Sequence, residues 1–252
     1  MGNIEIVNWG DINSKSEWLK LRKQMSGLGE AHVRIGASDI GTITGSNKWS
    51  SKRRLTLNLS GLYAKEWVSP ITVLGGLMED KVQAFWEGYV PNELDQSLIN
   101  VRDGVRLRQL KEAKFFVLND SAPHIFVSLD AVAEKEYKSP ISGRIVKGLI
   151  PHEYKYVGVD SYKSWGGQIS PSYLEQVQIQ MYNTKTEFCI FAPLLHGGDF
   201  YPIEVEYDKD LAEYLVEEAG KFCIDVMRIK ILNAQKEIST DKVYPGNNTV
   251  SV

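Results

Sequence analysis

Cysteines and long apolar runs are both scarce in this chain of 252 residues. Its two cysteines, Cys189 and Cys223, lie in apolar surroundings with no second thiol nearby in sequence, which excludes a disulfide framework and an iron–sulfur cluster. The longest apolar stretch, Phe188–Leu195, contains Pro193 and is far shorter than the roughly 20 residues that a membrane-spanning helix needs. We therefore expect both cysteines to be packing residues and the chain to have no membrane segment.

The beginning of the chain lacks the basic start and the apolar run of a secretory signal, so we expect a cytoplasmic protein. With 43% hydrophobic and 24% charged residues, the composition is typical of a folded domain and excludes a collagen, a coiled coil and a mucin. At roughly 100 to 200 residues per domain, the length favours a single α/β domain, which we place at residues 1–237. Residues 238–252 are polar, and we expect a disordered tail there.

The charge is spread unevenly along the chain, although the net charge is only −3. Between Lys15 and Arg54 there are nine bases and three acids, a local charge of +6, so the rest of the chain sums to −9. Such a basic segment predicts a face that binds phosphate groups. The same pattern also describes an ordinary solvated surface, and both readings stay open on charge alone.

Hydrophobic periodicity and capping residues predict a set of helices and strands. A capping box at Ser14 and Glu17 begins the first helix, and Ser170-Pro171 begins a later one. The predicted helices lie at about residues 15–25, 36–45, 55–62 (behind the basic cluster at 52–54), 70–89, 171–184 and 208–237. The predicted strands lie at residues 105–109, 115–119, 125–133, 144–157, 187–194 and 200–207. This order predicts an α/β fold with a mixed central sheet flanked by helices.

The most informative stretch is the predicted strand that contains Glu153, Tyr154 and Lys155. Because side chains alternate along a strand, Glu153 and Lys155 lie on one face and Tyr154 on the other. A carboxylate beside an ammonium group suits phosphodiester hydrolysis, because the carboxylate holds a hard cation and the lysine orients water or offsets charge on the phosphate. The Tyr154 carbonyl is a further candidate ligand. The Glu-x-Lys pattern is weak alone, since it recurs at Glu112 and Lys114.

Asp130 lies in an apolar predicted strand, where a carboxylate is costly to bury unless it binds a cation or a partner. The alternative is a strand-end residue that faces water. A second candidate set, Asp103 with Glu112 and Lys114, ranks lower. Its last two members straddle a predicted hairpin turn, and no polar helix follows them at a suitable distance. We therefore group Asp130 with the other Glu-x-Lys strand.

Three glutamines alternate with apolar residues in the predicted helix at 171–184. Gln176 and Gln180 fall on one helical face, and Gln178 shares a neighbouring face with Tyr182. Glutamines in such positions bond a catalytic carboxylate, a metal-bound water or a DNA backbone, or they simply lie on the surface.

Six short segments of the chain form an ordered set: Trp18-Leu19-Lys20-Leu21-Arg22, Ile35-Gly36-Ala37-Ser38-Asp39, Gly75-Gly76-Leu77-Met78-Glu79, Ser128-Leu129-Asp130, Glu153-Tyr154-Lys155 and Tyr173-Leu174-Glu175-Gln176-Val177-Gln178. In this order they resemble the YqaJ-type viral recombinase family, which includes phage lambda exonuclease and belongs to the PD-(D/E)XK nuclease superfamily. The resemblance covers roughly residues 18–182, and its specificity lies in the ordered set. It implies a restriction-endonuclease-like PD-(D/E)XK core.

The resemblance also implies a metal site for Mg²⁺, with Mn²⁺ as a substitute. Its ligands would be Asp130, Glu153, the Tyr154 carbonyl and, from a helix, Glu79. Lys155 matches the catalytic lysine of the family. Gln176 matches its active-site glutamine.

The residues expected to contact DNA come from the resemblance and from the basic segment. Arg22, Ser38 and Ser128 match positions that bind phosphate at the DNA end in this family. Arg34 is an alternative to Arg22, because the spacing from Arg22 to Ser38 is longer than in lambda exonuclease. The remaining expected contacts are Lys52, Arg53, Arg54 and Gln178.

The chain departs from the family's pattern in two further places. Leu129 and Ala131 replace the proline and glycine that usually flank the aspartate. The segment between the two metal-binding carboxylates is also longer than usual, which predicts an extended hairpin around residues 138–147.

From the resemblance we expect an exonuclease that digests one strand of linear duplex DNA from 5′ to 3′. It would leave a 3′ overhang for a single-strand annealing protein, and the family alone implies a homotrimer. Two alternatives stay open: a dimeric endonuclease of the same superfamily, which would cut closed circles, and a non-catalytic module that binds DNA ends. The intact set of two acids and a lysine argues against the last.

Overall fold

The structure, a computed structural model, describes residues 3–8, 15–27, 32–62, 70–88, 110–112, 115–133 and 136–241. Its helices are α1 (Lys15–Met25), α2 (Ile40–Thr44), α3 (Lys52–Leu59), α4 (Pro70–Gly88), α5 (Val159–Ser164), α6 (Pro171–Thr184) and α7 (Lys209–Asp241). Its strands are β1 (Ile4–Asn8), β2 (Ile35–Gly36), β3 (Leu110–Glu112), β4 (Phe115–Asn119), β5 (Ile125–Ser128), β6 (Ala131–Ala133), β7 (Glu136–Lys138), β8 (Ile145–Lys147), β9 (Ile150–Val157), β10 (Phe188–Leu195) and β11 (Ile203–Glu206). A 3₁₀ turn, Ala37–Asp39, precedes α2.

The strands form two main sheets and a short hairpin. One sheet has the order β1-β4-β5-β2, the second has the order β11-β10-β9-β6-β3, and β7 pairs with β8. The pairs β2–β5 and β9–β10 are parallel and the other pairs are antiparallel. The sheets are therefore mixed, as predicted, but two sheets replace the one central sheet that was expected.

One long hairpin belongs to both main sheets. β4 pairs with β5 in the four-stranded sheet, with Phe116 opposite Ser128, and β3 pairs with β6 in the five-stranded sheet, with Glu112 opposite Ala131. On the strand that faces them, Leu129 and Asp130 separate β5 from β6, so the pairing is interrupted at these two residues. The single strand predicted at 125–133 is wrong in this respect, because it breaks at Asp130.

The break coincides with a contact between Asp130 and β9. In the β6–β9 ladder His152 lies opposite Ala131, so the residue opposite Tyr154 would be Leu129, which lies outside β6. The backbone N–H of Tyr154 instead donates to the Asp130 carboxylate at 2.8 Å. The side chain of Asp130 thus replaces a backbone acceptor where the ladder ends, and its carboxylate is turned towards β9.

Two other predictions about strands need correction. The strand predicted at 144–157 divides at Gly148, whose φ of 127° strongly favours glycine, so β8 belongs to a hairpin and only β9 reaches the main sheet. The hairpin predicted around 138–147 is formed, with Lys138 opposite Ile145. The turn predicted between Glu112 and Lys114 lies outside the described residues, and the strands before and after it, β3 and β4, lie in different sheets. The strand predicted at 105–109 lies outside the described residues.

Helices cover both sheets and supply the core. α7 packs Leu215, Phe222 and Val226 into the cluster that includes Val117 and Val127 of the four-stranded sheet. Each fully buried side chain of this size contributes roughly 1.5–3 kcal/mol.

On the five-stranded sheet, α4 buries Val82 and Trp86 beside Tyr154, and α6 buries Val177 and Met181 beside Phe191. β9 therefore lies between two helices, one on each face.

Most predicted helix boundaries agree with the structure, and two differ. α7 continues to Asp241, past the domain boundary expected after residue 237, and residues 242–252 lie outside the described residues. The basic cluster Lys52 to Arg54 forms the first turn of α3, and Leu62 lies beyond its end with 54% of its surface exposed. Ser14 lies outside the described residues. None of the helices in the described part of the chain is long and apolar enough to cross a membrane.

Candidate active site

Strand β9 places an acid and a base side by side, as its alternation predicts. Glu153 and Lys155 are in contact on one face of the strand, and the Lys155 ammonium donates to Glu153 Oε1. Glu153 is only 2% exposed, so its charge is compensated by partners rather than by water. Tyr154 points to the opposite face, where it is buried beside Trp86 of α4.

Asp130 lies at the beginning of β6, next to this pair. Its Oδ2 is 4.0 Å from Lys155 Nζ, and about a quarter of its side chain is exposed. Burial, followed by repulsion from Glu153 and from Glu79, raises the pKa of Asp130 to about 8, although Lys155 acts in the opposite direction. The protonated, neutral form of the Asp130 carboxyl is therefore favoured in this environment.

Lys155 is surrounded by oxygen atoms. Besides Glu153, it donates to the Tyr154 carbonyl at 3.1 Å, and its Nζ lies 5.6 Å from the centre of the Tyr173 ring. Burial lowers the pKa of Lys155, but Glu153 and Asp130 raise it by more, so the pKa lies above the usual value for lysine. The ammonium group stays charged at physiological pH.

Two glutamines of α6 hold the buried carboxylate in place. Gln176 donates to Glu153 Oε1 at 2.6 Å, and Gln180 donates to Glu153 Oε2 at 2.5 Å. Ser170 caps the helix by accepting the backbone N–H of Tyr173, which fixes where the helix begins. Gln180 was not among the predicted site residues, although its four-residue spacing from Gln176 places both on one face.

Cys189 of β10 lies behind Gln180. Its Sγ is 4.0 Å from Gln180 Oε1, the amide atom that Glu153 does not use, and it donates there as a weak hydrogen bond. Burial, followed by the charge of Glu153, raises the pKa of the Cys189 thiol, so it stays protonated as a donor. The thiol packs in the core, as expected from the sequence, and also orients the amide.

Gln178 has a different role from the predicted one. It is 1% exposed, its Nε2 donates to the Glu206 carbonyl at 2.8 Å, and its Oε1 accepts the Asp208 N–H at 2.8 Å. Both polar ends are used to attach α6 to the junction of β11 and α7. The expectation that Gln178 contacts DNA therefore does not fit its position.

The donor set around Asp130 fits a hard divalent cation. Asp130 and Glu153 supply carboxylate oxygens, the Tyr154 carbonyl belongs to the residue that follows Glu153, and Glu79 of α4 is close enough to raise the pKa of Asp130. Within the described residues, no group of three or more His, Cys, Asp or Glu side chains is already placed to hold a metal ion. The oxygen donors of Asp130, Glu153 and Tyr154 are nevertheless of the kind that Mg²⁺ prefers.

A second group of residues lies at the predicted phosphate-binding positions. Arg22 donates to Ser38 Oγ at 2.8 Å and lies 3.6 Å from Asp39, whose carboxylate also accepts the Gly36 N–H. The structure thus brings Arg22 and Ser38 together across 16 positions of sequence. Ser128 ends β5, two residues before Asp130.

The alternative arginine is used elsewhere. Arg34 donates to the Pro123 carbonyl at 2.9 Å and lies 3.0 Å from a His32 ring nitrogen. The geometry therefore favours Arg22 over Arg34 as the partner of Ser38.

The basic cluster occupies the first turn of α3. Lys52 and Arg53 are exposed, and Lys52 Nζ lies 5.7 Å from the Phe222 ring centre. Of the lower-ranked candidate set, Asp103, Lys114 and the side chain of Glu112 lie outside the described residues.

Family comparison identifies the class of protein that this geometry belongs to. A family model of YqaJ-like viral recombinase domains matches residues 17–187, and the chain belongs to this family. The resemblance found in the sequence is thereby confirmed. Membership makes the chain a viral recombinase domain of the YqaJ type.

Solved structures share the fold over most of the chain. An alkaline exonuclease, LHK-Exo from Laribacter hongkongensis, is 16% identical with a TM-score of 0.62, over 90% of this chain and 100% of that one. A second structure of LHK-Exo, in complex with dAMP, is 14% identical with a TM-score of 0.62, over 88% and 99%. These two structures confirm the predicted fold class. A phage-related exonuclease from Haemophilus somnus 129PT is 14% identical with a TM-score of 0.48, over 81% and 97%. Among curated proteins there is no significant match.

Proposed function

We propose that this protein is a Mg²⁺-dependent exonuclease that digests one strand of linear duplex DNA from 5′ to 3′, and that Mn²⁺ can replace Mg²⁺. The product would be a 3′ overhang for a single-strand annealing protein during phage-type recombination. One observation carries the proposal: Asp130, Glu153 and Lys155 converge where β6 and β9 meet, and two glutamines hold the buried carboxylate.

The metal would be held by Asp130, Glu153, Glu79 and the Tyr154 carbonyl. When bound, it supplies Lewis-acid stabilisation of the phosphate and a more acidic water. The raised pKa of Asp130 supports this assignment, because carboxylates that repel one another gain more from a cation than isolated ones. The glutamines fix the orientation of Glu153, so its oxygens need little rearrangement.

Lys155 would act on the scissile phosphate. The group is charged at neutral pH, its side chain is 20% exposed, and its ammonium contacts Glu153. A cation in this position offsets negative charge that develops on the phosphate in the transition state. It also donates hydrogen bonds that orient an attacking water.

Arg22, Ser38 and Ser128 would bind the phosphate at the 5′ end. A guanidinium group presents a fixed fork of donors to phosphate oxygens, and the Ser38 hydroxyl lies beside it. We further propose that the basic turn at Lys52, Arg53 and Arg54 follows the DNA backbone nearby. The protein would act as a homotrimer in the cytoplasm of a bacterial host.

The decisive experiment compares linear with closed circular duplex DNA, each with Mg²⁺ and with EDTA. We expect digestion of linear DNA only, and only with Mg²⁺. Cleavage of circles would favour the dimeric endonuclease, and binding without cleavage of either would favour the non-catalytic module.

Substitutions at the metal site provide a second arm of this experiment. Asp130→Asn or Glu153→Gln should abolish cleavage while DNA binding survives or tightens, because each removes negative charge near a polyanion. Asp160→Asn, an exposed acid on α5, serves as the matched control and should leave the rate unchanged. Digestion by either site variant at the wild-type rate would overturn the site assignment.

A further inference from the structure

Trp49 stands almost entirely in solvent. Its side chain is 91% exposed, the highest value among the large hydrophobic residues that the structure describes as exposed, whereas Trp86 is fully buried. Burying a large aromatic side chain is strongly favourable, so folding gains almost nothing from an indole at this position. Tryptophan is enriched at binding interfaces, because its ring offers a large apolar face and its N–H a hydrogen-bond donor.

The backbone that carries Trp49 is fixed by hydrogen bonds. The N–H of Asn47 donates to the Gly41 carbonyl at 2.8 Å, and its side-chain amide donates to Thr42 Oγ1 at 3.2 Å. The Trp49 N–H donates to Asn47 Oδ1 at 2.9 Å. Asn47 thus anchors the turn to α2 and directs the indole outward.

The same turn is attached to the helix that orients Glu153. The hydroxyls of Thr44 and Ser46 both donate to Glu175 Oε2, each at 2.7 Å. The next residue, Gln176, donates to Glu153. Because Glu175 and Gln176 are neighbours on α6, Trp49 keeps a fixed position relative to the hydrolytic site.

The surroundings of Trp49 are basic. Residues 48–54 contain Lys48, Lys52, Arg53 and Arg54 and no acid. Of these, Lys48, Lys52 and Arg53 are exposed. Aromatic side chains among exposed cations are the arrangement by which proteins hold nucleic acid strands, since bases stack on the ring while phosphates meet the cations. Charge complementarity therefore points to DNA rather than to an acidic protein face.

We propose that Trp49 stacks on an uncovered base face of the DNA, with Lys48 and Arg53 on adjacent phosphates. This inference rests on the proposed function and adds a contact to it. Inside a continuous duplex each base face is covered by its neighbours. A face is open only at a duplex end or along an unpaired strand, so Trp49 distinguishes these from uninterrupted duplex.

The test is DNA binding by Trp49→Ala in an Asp130→Asn background, which prevents digestion. Three DNAs are compared: a blunt duplex, a duplex with a 3′ single-stranded tail, and a relaxed closed circle. Loss of stacking should weaken binding to open faces about 5- to 100-fold and leave the circle unaffected. A loss on blunt and tailed duplexes assigns the terminal base pair, and a loss on the tailed duplex alone assigns the unpaired strand. The proposal is overturned if Trp49→Ala binds all three DNAs as tightly as its parent does, or if it loses as much affinity for the circle as for the other two DNAs.

Two further variants separate stacking from mere apolar contact. Trp49→Phe should keep most of the affinity because it retains a ring, whereas Trp49→Leu should resemble Trp49→Ala. Leucine binding as well as tryptophan would overturn the stacking role. Tyr214→Ala is the matched control, since Tyr214 is 52% exposed on α7, and it should change nothing. Thermal melting of all variants should match the parent.

Fluorescence gives a readout that does not depend on affinity. The emission of Trp49 is the difference between the parent and Trp49→Phe, and stacking on a base should quench it when the tailed or blunt duplex is added. Failure of the stacking proposal can be distinguished from failure of the proposed function. Wild type that failed to digest linear DNA with Mg²⁺ would overturn the nuclease proposal, whereas normal digestion with unchanged binding by Trp49→Ala would overturn only the stacking.

Discussion

Three oxygen-bearing groups surround the ammonium of Lys155: Glu153, the Tyr154 carbonyl and Asp130. Lys155→Ala should lower turnover about 10²- to 10³-fold and DNA affinity by less than about tenfold, since a group that acts on transition-state charge contributes mainly to rate. Single-turnover digestion and binding titrations measure the two effects. Lys147→Ala, whose side chain is 80% exposed on the β7–β8 hairpin, is the control. Equal proportional losses of turnover and of DNA affinity would show that Lys155 acts only in DNA binding.

Asp130 should make the stability of the metal-free protein depend on pH. Burial and repulsion by Glu153 raise its pKa from 3.8 to about 8, so the folded state binds this proton more tightly than the unfolded state. The resulting stabilisation is complete below pH 3.8 and is lost as the pH rises to about 8.

Melting temperatures in EDTA at several pH values between 5 and 8 would test this prediction. Wild type should lose stability relative to Asp130→Asn as the pH rises, and Mg²⁺ should restore it at pH 8 by taking the place of the proton. Parallel pH profiles for the two proteins would contradict the assignment.

Arg22 should determine the preference for a 5′-phosphate. Because its guanidinium lies 2.8 Å from Ser38, a terminal phosphate can bind both groups at once. Digestion rates on duplexes that differ only in a 5′-phosphate or 5′-hydroxyl should favour the phosphate, and Arg22→Ala should remove most of that preference. Arg34→Ala is the matched control, because Arg34 donates to the Pro123 carbonyl. Removal of the preference by Arg34→Ala alone would transfer the role to Arg34.

The sequence predicts this site well where the geometry is local. Alternation along one strand places Glu153 beside Lys155, and helical spacing places Gln176 and Gln180 on one face. The same reasoning fails for Gln178, because periodicity tells which residues share a face and not which neighbour that face meets. In the structure the neighbour is the junction of β11 and α7, so Gln178 bonds backbone rather than DNA.

At the scale of whole elements, the missed features depend on contacts distant in sequence. Residues 125–133 are apolar and suit one continuous strand, and the break at Asp130 arises only because Tyr154, 24 positions away, donates to that carboxylate. The division of the core into two sheets follows from the same break. Helix boundaries were better predicted, since capping residues such as Ser170 and left-handed glycines such as Gly45 act on their own neighbours.

The close approach of α2 to α6 offers a test at the element scale. A Cβ at Gly41 would lie 2.8 Å from the Ser172 Cβ, so Gly41→Ala should push α2 away from α6. Gly45→Ala is the control, because its φ of 88° causes strain of about 1 kcal/mol while the added Cβ meets nothing within 4 Å. Both should lower the melting temperature, but only Gly41→Ala should also slow digestion of linear DNA. Similar digestion rates would show that the helix contact does not position the site.

At the scale of the whole molecule, the proposed homotrimer makes a simple prediction. Light scattering should give three times the chain mass of 28.4 kDa, or about 85 kDa. A closed ring around the DNA would prevent dissociation between steps, so an excess of competitor DNA added after initiation should not stop digestion. A stable monomer or dimer at working concentration would favour the endonuclease reading.

The short link between β5 and β6 also sets a length. Ser128, at the proposed phosphate site, and Asp130, at the proposed metal site, are two positions apart, so their Cα atoms lie at most about 7 Å from each other. One DNA strand advances about 3.4 Å per nucleotide along the duplex axis. Under the proposed function, the backbone therefore fixes the distance between the phosphate site and the metal site at one or two nucleotides. The increment released at each step would be built into the chain and independent of DNA sequence.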